Sequence, residues 1–369
     1  MTDPLRDGAG RAEFASTVRS SGHARTVNPG ANGVPKTSGP RPEHVSQLRL
    51  IRHELNGSAK KSLRVMKFGG TSVGDASCIE RVVDIVRAAS RDGEVVVVVS
   101  AMSGVTNQLV EACSQSEAGN RLVATIFEEL RERHEAAMCA LIPSVERRQP
   151  IAGKIQDLLH DGNHLCQDAI LRCELTPRVR DAISGLGERL SVLLVAAALA
   201  ERGVSTEAIE ATELIVTNSH HGAAEPHMDL TRERCEARLH PLLLRGVVPV
   251  VTGFIGATVE GVLTTLGRNS SDYSGTIVGA ALDADEVILW TDVDGILTAD
   301  PRLVPGARPI REMCYREASD LADSGAKVLH AKALRIAMEC GIPLSIRNTF
   351  APERPGTTIA PPALWAERE

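Results

Sequence analysis

Hydrophobic residues recur in two alternating patterns from Leu63 onward. The run Glu94–Ser100 contains five consecutive valines, which is typical of a strand buried on both faces of a parallel sheet. After Asp75, a predicted helix N-cap, four apolar residues fall on one helical face: Ile79, Val82, Val83 and Val86. Because strands and helices alternate in this way, the sequence predicts an α/β fold with a central, mostly parallel sheet.

The same patterns predict further strands at Leu63–Phe68, Val247–Val251, Glu286–Thr291 and Pro343–Arg347. Helices are predicted to dominate Gln108–Arg202 and to cover Asp272–Leu282 and His330–Cys340.

Residues 1–60 differ from the rest, because this stretch is rich in Gly, Ser and Pro and has no apolar period. We predict a disordered leader over 1–60, in which Val45–Leu55 is the one candidate for a short helix. Residues 61–366 are predicted to form one domain with two lobes.

Composition narrows the classes of function. The chain has a net charge of −6 and only nine aromatic residues among 369, so neither nucleic acid nor an anionic membrane is an expected partner. The longest apolar run, Leu190–Ala200, is shorter than the roughly 20 residues that a membrane-spanning helix needs. The eight cysteines form no CxxC pair, and the eleven histidines follow no metal-ligand spacing. We therefore predict a cytoplasmic protein with reduced cysteines, whose histidines lie on the surface or in loops.

The first motif that suggests chemistry is Lys67-Phe68-Gly69-Gly70-Thr71-Ser72-Val73, between a predicted strand and a predicted helix. Paired glycines let the backbone approach a phosphate closely, and N–H groups at a helix start favour an anion. Lys67 would add a positive charge for a transferring phosphoryl group, unless it is an ordinary solvated lysine at a strand end. GxxxxGK[ST] is absent, so this is not a Walker A motif.

Two later motifs are similar in kind. Thr264–Gly275 is a small-residue loop that leads into Ser271 and Asp272, and it predicts either a phosphate platform or an ordinary capped helix. Trp290–Arg302 begins at the carboxyl end of a hydrophobic strand, where open α/β sheets bind ligands. Its aspartates do not fit an EF-hand, because Gly295 comes too early and no Glu closes the loop.

Taken together, these motifs closely resemble the catalytic domain of aspartate kinases, within the amino acid kinase family. Ser184–Ser191, Gly325–His330 and Asn348–Phe350 add to the resemblance, which runs from about Leu63 to Ile359. It implies the three-layer α/β/α amino acid kinase fold, with an amino-acid-binding lobe over 61–240 and a nucleotide-binding lobe over 241–366.

The resemblance also implies roles for individual residues. The implied catalytic residues are Lys67, Asp272 and Lys327, with Asp272 organising the lysines and the metal. The implied substrate-binding residues are Ser100, Thr106, Glu188 and Arg268, of which Glu188 would anchor the substrate ammonium. A loop-stabilising role for Arg268 stays open. The implied nucleotide-binding residues are Lys67, Gly69, Gly70, Thr71, Thr291, Asp292, Leu297, Arg302 and Lys327. ATP and Mg²⁺ are the implied cofactors, and no residue is assigned as a metal ligand.

The sequence departs from the family pattern at three places. Ala223 and His227 stand where some aspartate kinases have an arginine and an aspartate that grip the substrate. Ser270 replaces a common glycine and would be strained if its φ were positive. The chain stops ten residues after Ile359, where relatives usually continue into paired ACT domains. This predicts activity that is insensitive to lysine and threonine, unless a separate regulatory subunit supplies control.

The implied function is ATP-dependent phosphorylation of L-aspartate to 4-phospho-L-aspartate by a homodimer. The reaction would begin the synthesis of lysine, threonine and methionine, or serve a dedicated pathway. Two alternatives stay open: a kinase of the same fold that acts on another amino or carboxylic acid, and a nucleotide-binding protein without turnover.

Overall fold

The computed structural model describes residues 61–120, 122–299, 304, 306–323 and 329–362. The predicted leader with its Val45–Leu55 helix lies outside these residues, as do Arg302 and Lys327.

The described strands form one large sheet and one small hairpin. In chain order they are β1 (Leu63–Phe68), β2 (Glu94–Val99), β3 (Thr206–Ile209), β4 (Val248–Thr252), β5 (Ile255–Ala257), β6 (Leu263–Thr265), β7 (Glu286–Thr291), β8 (Glu312–Met313), β9 (Leu344–Asn348) and β10 (Thr357–Ile359). The eight-stranded sheet has the order β3-β4-β2-β1-β7-β9-β10-β8, and β5 pairs with β6 in an antiparallel hairpin. Every pair in the large sheet is parallel except β9–β10. The predicted fold class is confirmed.

Helices cover both faces of this sheet. They are α1 (Ala76–Asp92), α2 (Val105–Glu117), α3 (Val123–Leu141), α4 (Val145–Arg172), α5 (Pro177–Ser184), α6 (Leu186–Glu201), α7 (Met228–Leu244), α8 (Ser271–Ala281), α9 (Tyr315–Asp323) and α10 (Ala331–Cys340). Asp75 caps α1 as predicted, because its side chain accepts a hydrogen bond from the Cys78 N–H at 2.9 Å.

The two faces of the sheet are covered by different parts of the chain. Met66 and Phe68 of β1 join the core that α1 to α6 cover, whereas Leu63 and Val65 join the core that α7 to α10 cover. Since successive side chains of a strand point to opposite faces, Lys67 shares the face of Val65. The last polar residue of β1 therefore points toward the helices that follow residue 228.

One stretch of the described residues, Pro177–Glu201, is long and apolar enough by composition to cross a membrane. Its most apolar window is 78% buried inside the protein, as in the core helix of a globular domain. The window includes most of α6, which packs against the sheet and buries two polar residues, Glu188 and Ser191, together with its apolar ones.

All five strand predictions match the structure to within one residue. Of the two helices predicted after residue 270, the first is shifted by one residue at both ends and the second at its start. The sequence patterns did not predict β3, the β5–β6 hairpin, β8, β10, α7 or α9. β3 is an edge strand, so only Ile209 of its four residues is buried and no apolar run marks it. α7 carries charged residues and Pro241, which hide its apolar face.

His134 is a correction to the prediction that the histidines lie on the surface or in loops. It is 0% exposed within α3, where Nδ1 bonds the Leu130 carbonyl at 2.7 Å and Nε2 has no hydrogen-bond partner among the described residues. Burial, opposed by the Leu130 hydrogen bond, lowers the pKa of His134 to about 4 from 6.5. The folded state therefore favours the neutral ring.

This burial predicts that acid destabilises the fold through His134. Because the folded pKa lies below the unfolded one, the stabilising contribution is present above pH 6.5 and is lost as pH falls toward 4. Between pH 7.5 and 5, the free energy of unfolding should fall by about 2 kcal/mol more in wild type than in His134→Leu. Urea denaturation at both pH values measures this. The variant His160→Gln, at an exposed position on α4, should behave as wild type, and parallel losses in all three proteins would contradict the prediction.

Candidate active site

The parallel strands end together at one edge of the sheet. Phe68 at the end of β1 is level with Val99 of β2 and Trp290 of β7, and Thr291 is level with Asn348 of β9. From β1 the chain continues to β2 on one side, while β7 lies on the other, so the strand order reverses at β1. Open α/β sheets bind ligands in the crevice outside such a switch point.

Lys67 and Asp272 meet at this edge. The Lys67 Nζ lies 2.6 Å from an Asp272 carboxylate oxygen, with the two side chains 11% and 22% exposed. Asp272 stands in the first turn of α8, and the N-cap position belongs to Ser270, so Asp272 is not the capping residue. A Cβ on Gly275 would lie only 3.0 Å from the Lys67 Cβ, so this glycine lets α8 approach β1. Two of the three predicted catalytic residues therefore share one polar site.

The loop after β1 is held between the segments that follow β2 and β7. The Gly69 N–H donates to the Trp290 carbonyl at 3.0 Å. A Cβ on Gly70 would stand 3.1 Å from the Ala101 carbonyl, which leaves no room for a larger residue. Thr71 is exposed beside them. The paired glycines thus bring three loops into contact at the crevice.

Glu188 in the first turn of α6 is a buried carboxyl group without an ionic partner among the described residues. It is 3% exposed, and its Oε2 has no hydrogen-bond partner. Burial raises the pKa of Glu188 to about 8, although a hydrogen bond from the backbone of Ala101 and the charge of Lys67 oppose this rise. One turn along the same helix, the buried Ser191 hydroxyl also lacks a partner. Two polar groups on one helical face are thus ready to bond a ligand.

Ser100 and Thr106, the other predicted substrate residues, follow β2. The Ser100 N–H donates to the Phe68 carbonyl at 3.1 Å, so Ser100 extends the line of strand ends, and its side chain is largely covered. Thr106 is partly exposed in the first turn of α2. The loop that contacts Gly70 through Ala101 and Ser103 runs between these two residues.

Arg133 is a residue of this region that the sequence did not single out. Its guanidinium donates to the Gly74 carbonyl at 2.9 Å and lies near Gly104. It therefore ties the loop after β1 to the loop after β2. Nothing in the sequence of α3 marks an arginine that reaches out of the helix in this way.

The loop before α8 avoids the strain that its sequence suggested. Ser270 has φ −89°, and the positive φ falls on Asn269 at 58° and on Gly267 at 104°. Asparagine tolerates this conformation better than most residues. Arg268, between those two positions, is exposed to solvent. The serine at position 270 therefore costs nothing in backbone conformation.

The predicted nucleotide segment follows β7. The Thr291 hydroxyl donates to Asp292 at 3.1 Å, and the Thr291 carbonyl accepts from the Thr349 N–H at 2.8 Å. Asp292 is exposed and Leu297 is partly buried. Arg302 and Lys327 lie outside the described residues, so their positions stay predictions.

Asp294 fixes the shape of this segment. It accepts a hydrogen bond from the Asn348 amide at 2.7 Å and pairs with Arg354. These bonds, the Asn348 bond first, lower the pKa of Asp294. The segment after β7 is thereby fastened to the segment after β9.

The sequence of this chain is similar to those of known enzymes. Residues 62–348 match the model of the amino acid kinase family. Lysine-sensitive aspartokinase 3 of Escherichia coli (strain K12) is 36% identical over 296 residues, which are 80% of this chain and 63% of that protein. Aspartokinase 1, chloroplastic, of Arabidopsis thaliana is 34% identical over 80% of this chain and 51% of that protein.

Solved structures of aspartate kinases are similar to this chain in fold. The crystal structure of E. coli aspartokinase III in complex with aspartate and ADP has a TM-score of 0.73 at 35% identity, covering 81% of this chain and 64% of that one. The aspartate kinase of Clostridium acetobutylicum has a TM-score of 0.67 at 25% identity, covering 81% of this chain and 63% of that one. The chain thus spans about two thirds or less of the length of these relatives.

The family model covers more than three quarters of the sequence, and the mostly parallel sheet with its motifs at the carboxyl edge agrees with it. The chain belongs to the amino acid kinase family.

Proposed function

We propose that this chain transfers the γ-phosphoryl group of ATP to the side-chain carboxylate of L-aspartate, giving ADP and 4-phospho-L-aspartate. The observation that carries the proposal is the Lys67–Asp272 pair beside the two glycine-bearing loops, with the unpaired Glu188 nearby. Phosphoryl transfer depends on positioning and on cations at the transferring group, which a fixed lysine beside glycine-rich loops can supply. A buried carboxyl group suits the ammonium of an amino acid. Relatives named as aspartokinases support the choice of acid.

Lys67 acts on the charge of the transferring group. A carboxylate oxygen of aspartate forms a bond to the γ-phosphorus, while the bond from that phosphorus to the ADP oxygen breaks and ADP leaves with the electron pair. Negative charge spreads over the phosphoryl oxygens during transfer, and a fixed ammonium stabilises it. Asp272 holds that ammonium in place at 2.6 Å. No base is needed, because the attacking carboxylate is already ionised.

Glu188 serves the other end of the substrate. Among the described residues, the Glu188 Oε2 and the Ser191 hydroxyl are buried without hydrogen-bond partners, which suits the ammonium of an amino acid. Ser100, Thr106 and Arg268 complete the proposed substrate site. Among these, Arg268 is exposed and free to reach the carboxylate or the phosphoryl group.

The nucleotide lies on the loops after β1 and β7. Gly69, Gly70 and Thr71 would line the phosphates, and Thr291, Asp292 and Leu297 the nucleoside, with Arg302 and Lys327 as further proposed contacts. Bound Mg²⁺ would neutralise the triphosphate charge. The described residues contain no cluster of three metal-binding side chains, and an ion carried by phosphates and water needs only one or two protein carboxylates.

Likeness to the family carries the remaining proposals. We propose a cytoplasmic homodimer whose product, an acyl phosphate, feeds the synthesis of lysine, threonine and methionine. Ala223 and His227 stand where some aspartate kinases have residues that grip the substrate, so an acid other than aspartate is the alternative substrate. The first experiment below tests this alternative.

Replacing Lys67 should abolish most of the turnover. Lys67→Ala is expected to lower kcat by about 10²–10³-fold, because one cation that stabilises transferring charge is lost. ADP release is measured with L-aspartate, L-glutamate, succinate and N-acetyl-L-glutamate as acceptors. Wild type should turn over with L-aspartate alone.

Lys154→Ala is the matched control, because Lys154 is an exposed lysine on α4, and its kcat should equal that of wild type. Wild-type turnover with a different acid would replace the proposed substrate. ATP binding without turnover on any acid would refute the proposed function.

Aspartate binding should release a proton from Glu188. The pKa of Glu188 is about 8 in the ligand-free protein, so the carboxyl group is mostly protonated at pH 7. A bound ammonium favours the ionised form, and close to one proton should leave. Titration calorimetry at pH 7, in buffers of different ionisation enthalpy, counts the protons. Glu188→Gln should bind more weakly with no proton release, and a wild-type count of zero would contradict the protonated state.

A further inference from the structure

Asp181, near the end of α5, is a buried carboxylate that the proposed chemistry does not use. It is 2% exposed and accepts four hydrogen bonds. Its Oδ2 receives the His221 Nδ1–H at 2.8 Å, the Gly222 N–H at 3.1 Å and the Thr265 N–H at 3.1 Å. Its Oδ1 receives the Thr265 hydroxyl at 2.6 Å. One side chain thus satisfies donors from a loop and from a hairpin strand.

The loop involved, residues 218–227, borders the crevice. The Ala224 N–H donates to the Thr265 carbonyl at 2.9 Å. A Cβ built on Gly267 would lie 3.8 Å from the Gly222 carbonyl. Gly267 directly precedes Arg268, and five residues later the chain reaches Asp272. The loop therefore packs on the segment that leads to the Lys67–Asp272 pair.

Thr217, just before the loop, bonds the hairpin: its N–H donates to the Ala257 carbonyl at 2.8 Å, and its hydroxyl lies 2.7 Å from that of Thr264. The base of the loop is therefore fixed, and its outer part depends on other bonds. Asn218 accepts from the His220 N–H at 3.2 Å and the Glu225 N–H at 3.1 Å, which closes a turn. Such bonds set the shape of the loop. The bonds to Asp181 and to Thr265 are the ones that attach this shape to α5 and β6.

We propose that Asp181 is a positioning residue that sets the affinity for the amino-acid substrate, by holding loop 218–227 against residues 265–267. The inference rests on the proposed function, since it assigns the loop to the acid side of that site. α5 ends at Ser184, and Glu188 lies in the first turn of the next helix. Asp181 therefore joins the helix pair that carries Glu188 to the loop that packs on the segment before Arg268.

Two substitutions separate position from charge. In Asp181→Asn, the amide oxygen can take the place of Oδ2 and keep three donors satisfied, while the NH₂ group faces the Thr265 hydroxyl, which can accept. The negative charge is lost but the attachment stays. In Asp181→Ala, all four donors lose their acceptor and the loop is released.

The test compares steady-state constants of the full chain. Asp181→Ala should raise KM for aspartate about 10- to 100-fold, the size expected of a misplaced binding group, and leave KM for ATP within about threefold. Asp181→Asn should stay within about threefold of wild type in both constants. Ile155→Ala, which empties a buried position of α4, is the control for lost stability and should leave both KM values unchanged.

Hydrogen exchange provides a readout that does not depend on turnover. Backbone amides of residues 218–227 should exchange faster in Asp181→Ala and at the wild-type rate in Asp181→Asn. If Asp181→Ala does not fold, the double variant His221→Ala/Thr265→Val removes two of the four donors and should raise KM for aspartate at least about fivefold.

Equal changes in KM for aspartate and ATP, or unchanged exchange of the loop, would overturn the inference. A large effect of Asp181→Asn would also overturn it, because charge rather than position would then matter. If wild type uses another acid, that acid replaces aspartate in the assay. Failure of the proposed function therefore appears in wild type, and failure of this inference appears only in the variants.

Discussion

The ion pair between Lys67 and Asp272 is the interaction on which the site depends. It joins the central strand of the sheet to the first turn of a helix from a distant part of the chain. Both side chains are mostly shielded from water. Removing either one would leave the other charge buried without a partner, which costs free energy. Gly275 makes the pair geometrically accessible by removing the side chain that would separate α8 from β1. The close packing of α8 on β1 and the ion pair with Asp272 thus hold the Lys67 ammonium group in one position.

A second carboxyl group nearby has the opposite surroundings. Asp272 is partly hydrated and faces a lysine, whereas Glu188 is buried with one oxygen unsatisfied. Burial raises the pKa of Glu188, whereas Asp272 is held in an ion pair, so one site contains two carboxyl groups with different surroundings. The same edge of the sheet can therefore fix a cation permanently and accept another cation only when a ligand brings it.

The sequence predicted those structural features that depend on residues close together in the chain. The valine run of β2, the cap at Asp75 and the glycines after β1 each leave a pattern within a few residues. Contacts between distant segments leave none. Asp181 looks like any helical aspartate, although it gathers donors from residues 221, 222 and 265, and Arg133 looks like one of many surface arginines. The prediction that His134 lies on the surface was wrong for the same reason. The charged residues around it in the sequence give no sign that its side of α3 faces the core. At Ser270 the sequence suggested a strained backbone that the structure does not have. The positive φ values fall on Asn269 and Gly267 instead, and the sequence alone does not predict this.

The strand order has a consequence for how the protein reaches its native state. β1 sits between β2, which follows it closely, and β7, which lies more than two hundred residues later; the Leu63 N–H even bonds Asp285, 222 residues away. β4 is likewise inserted between β2 and β3. Contacts of such long range slow folding, because the entropy of closing the chain is lost before they form. A nascent chain that has emerged only as far as α6 holds a two-stranded sheet with one bare face and two open edges. Completion of the sheet on both sides of β1 and β2 must then wait for synthesis of the second half of the chain.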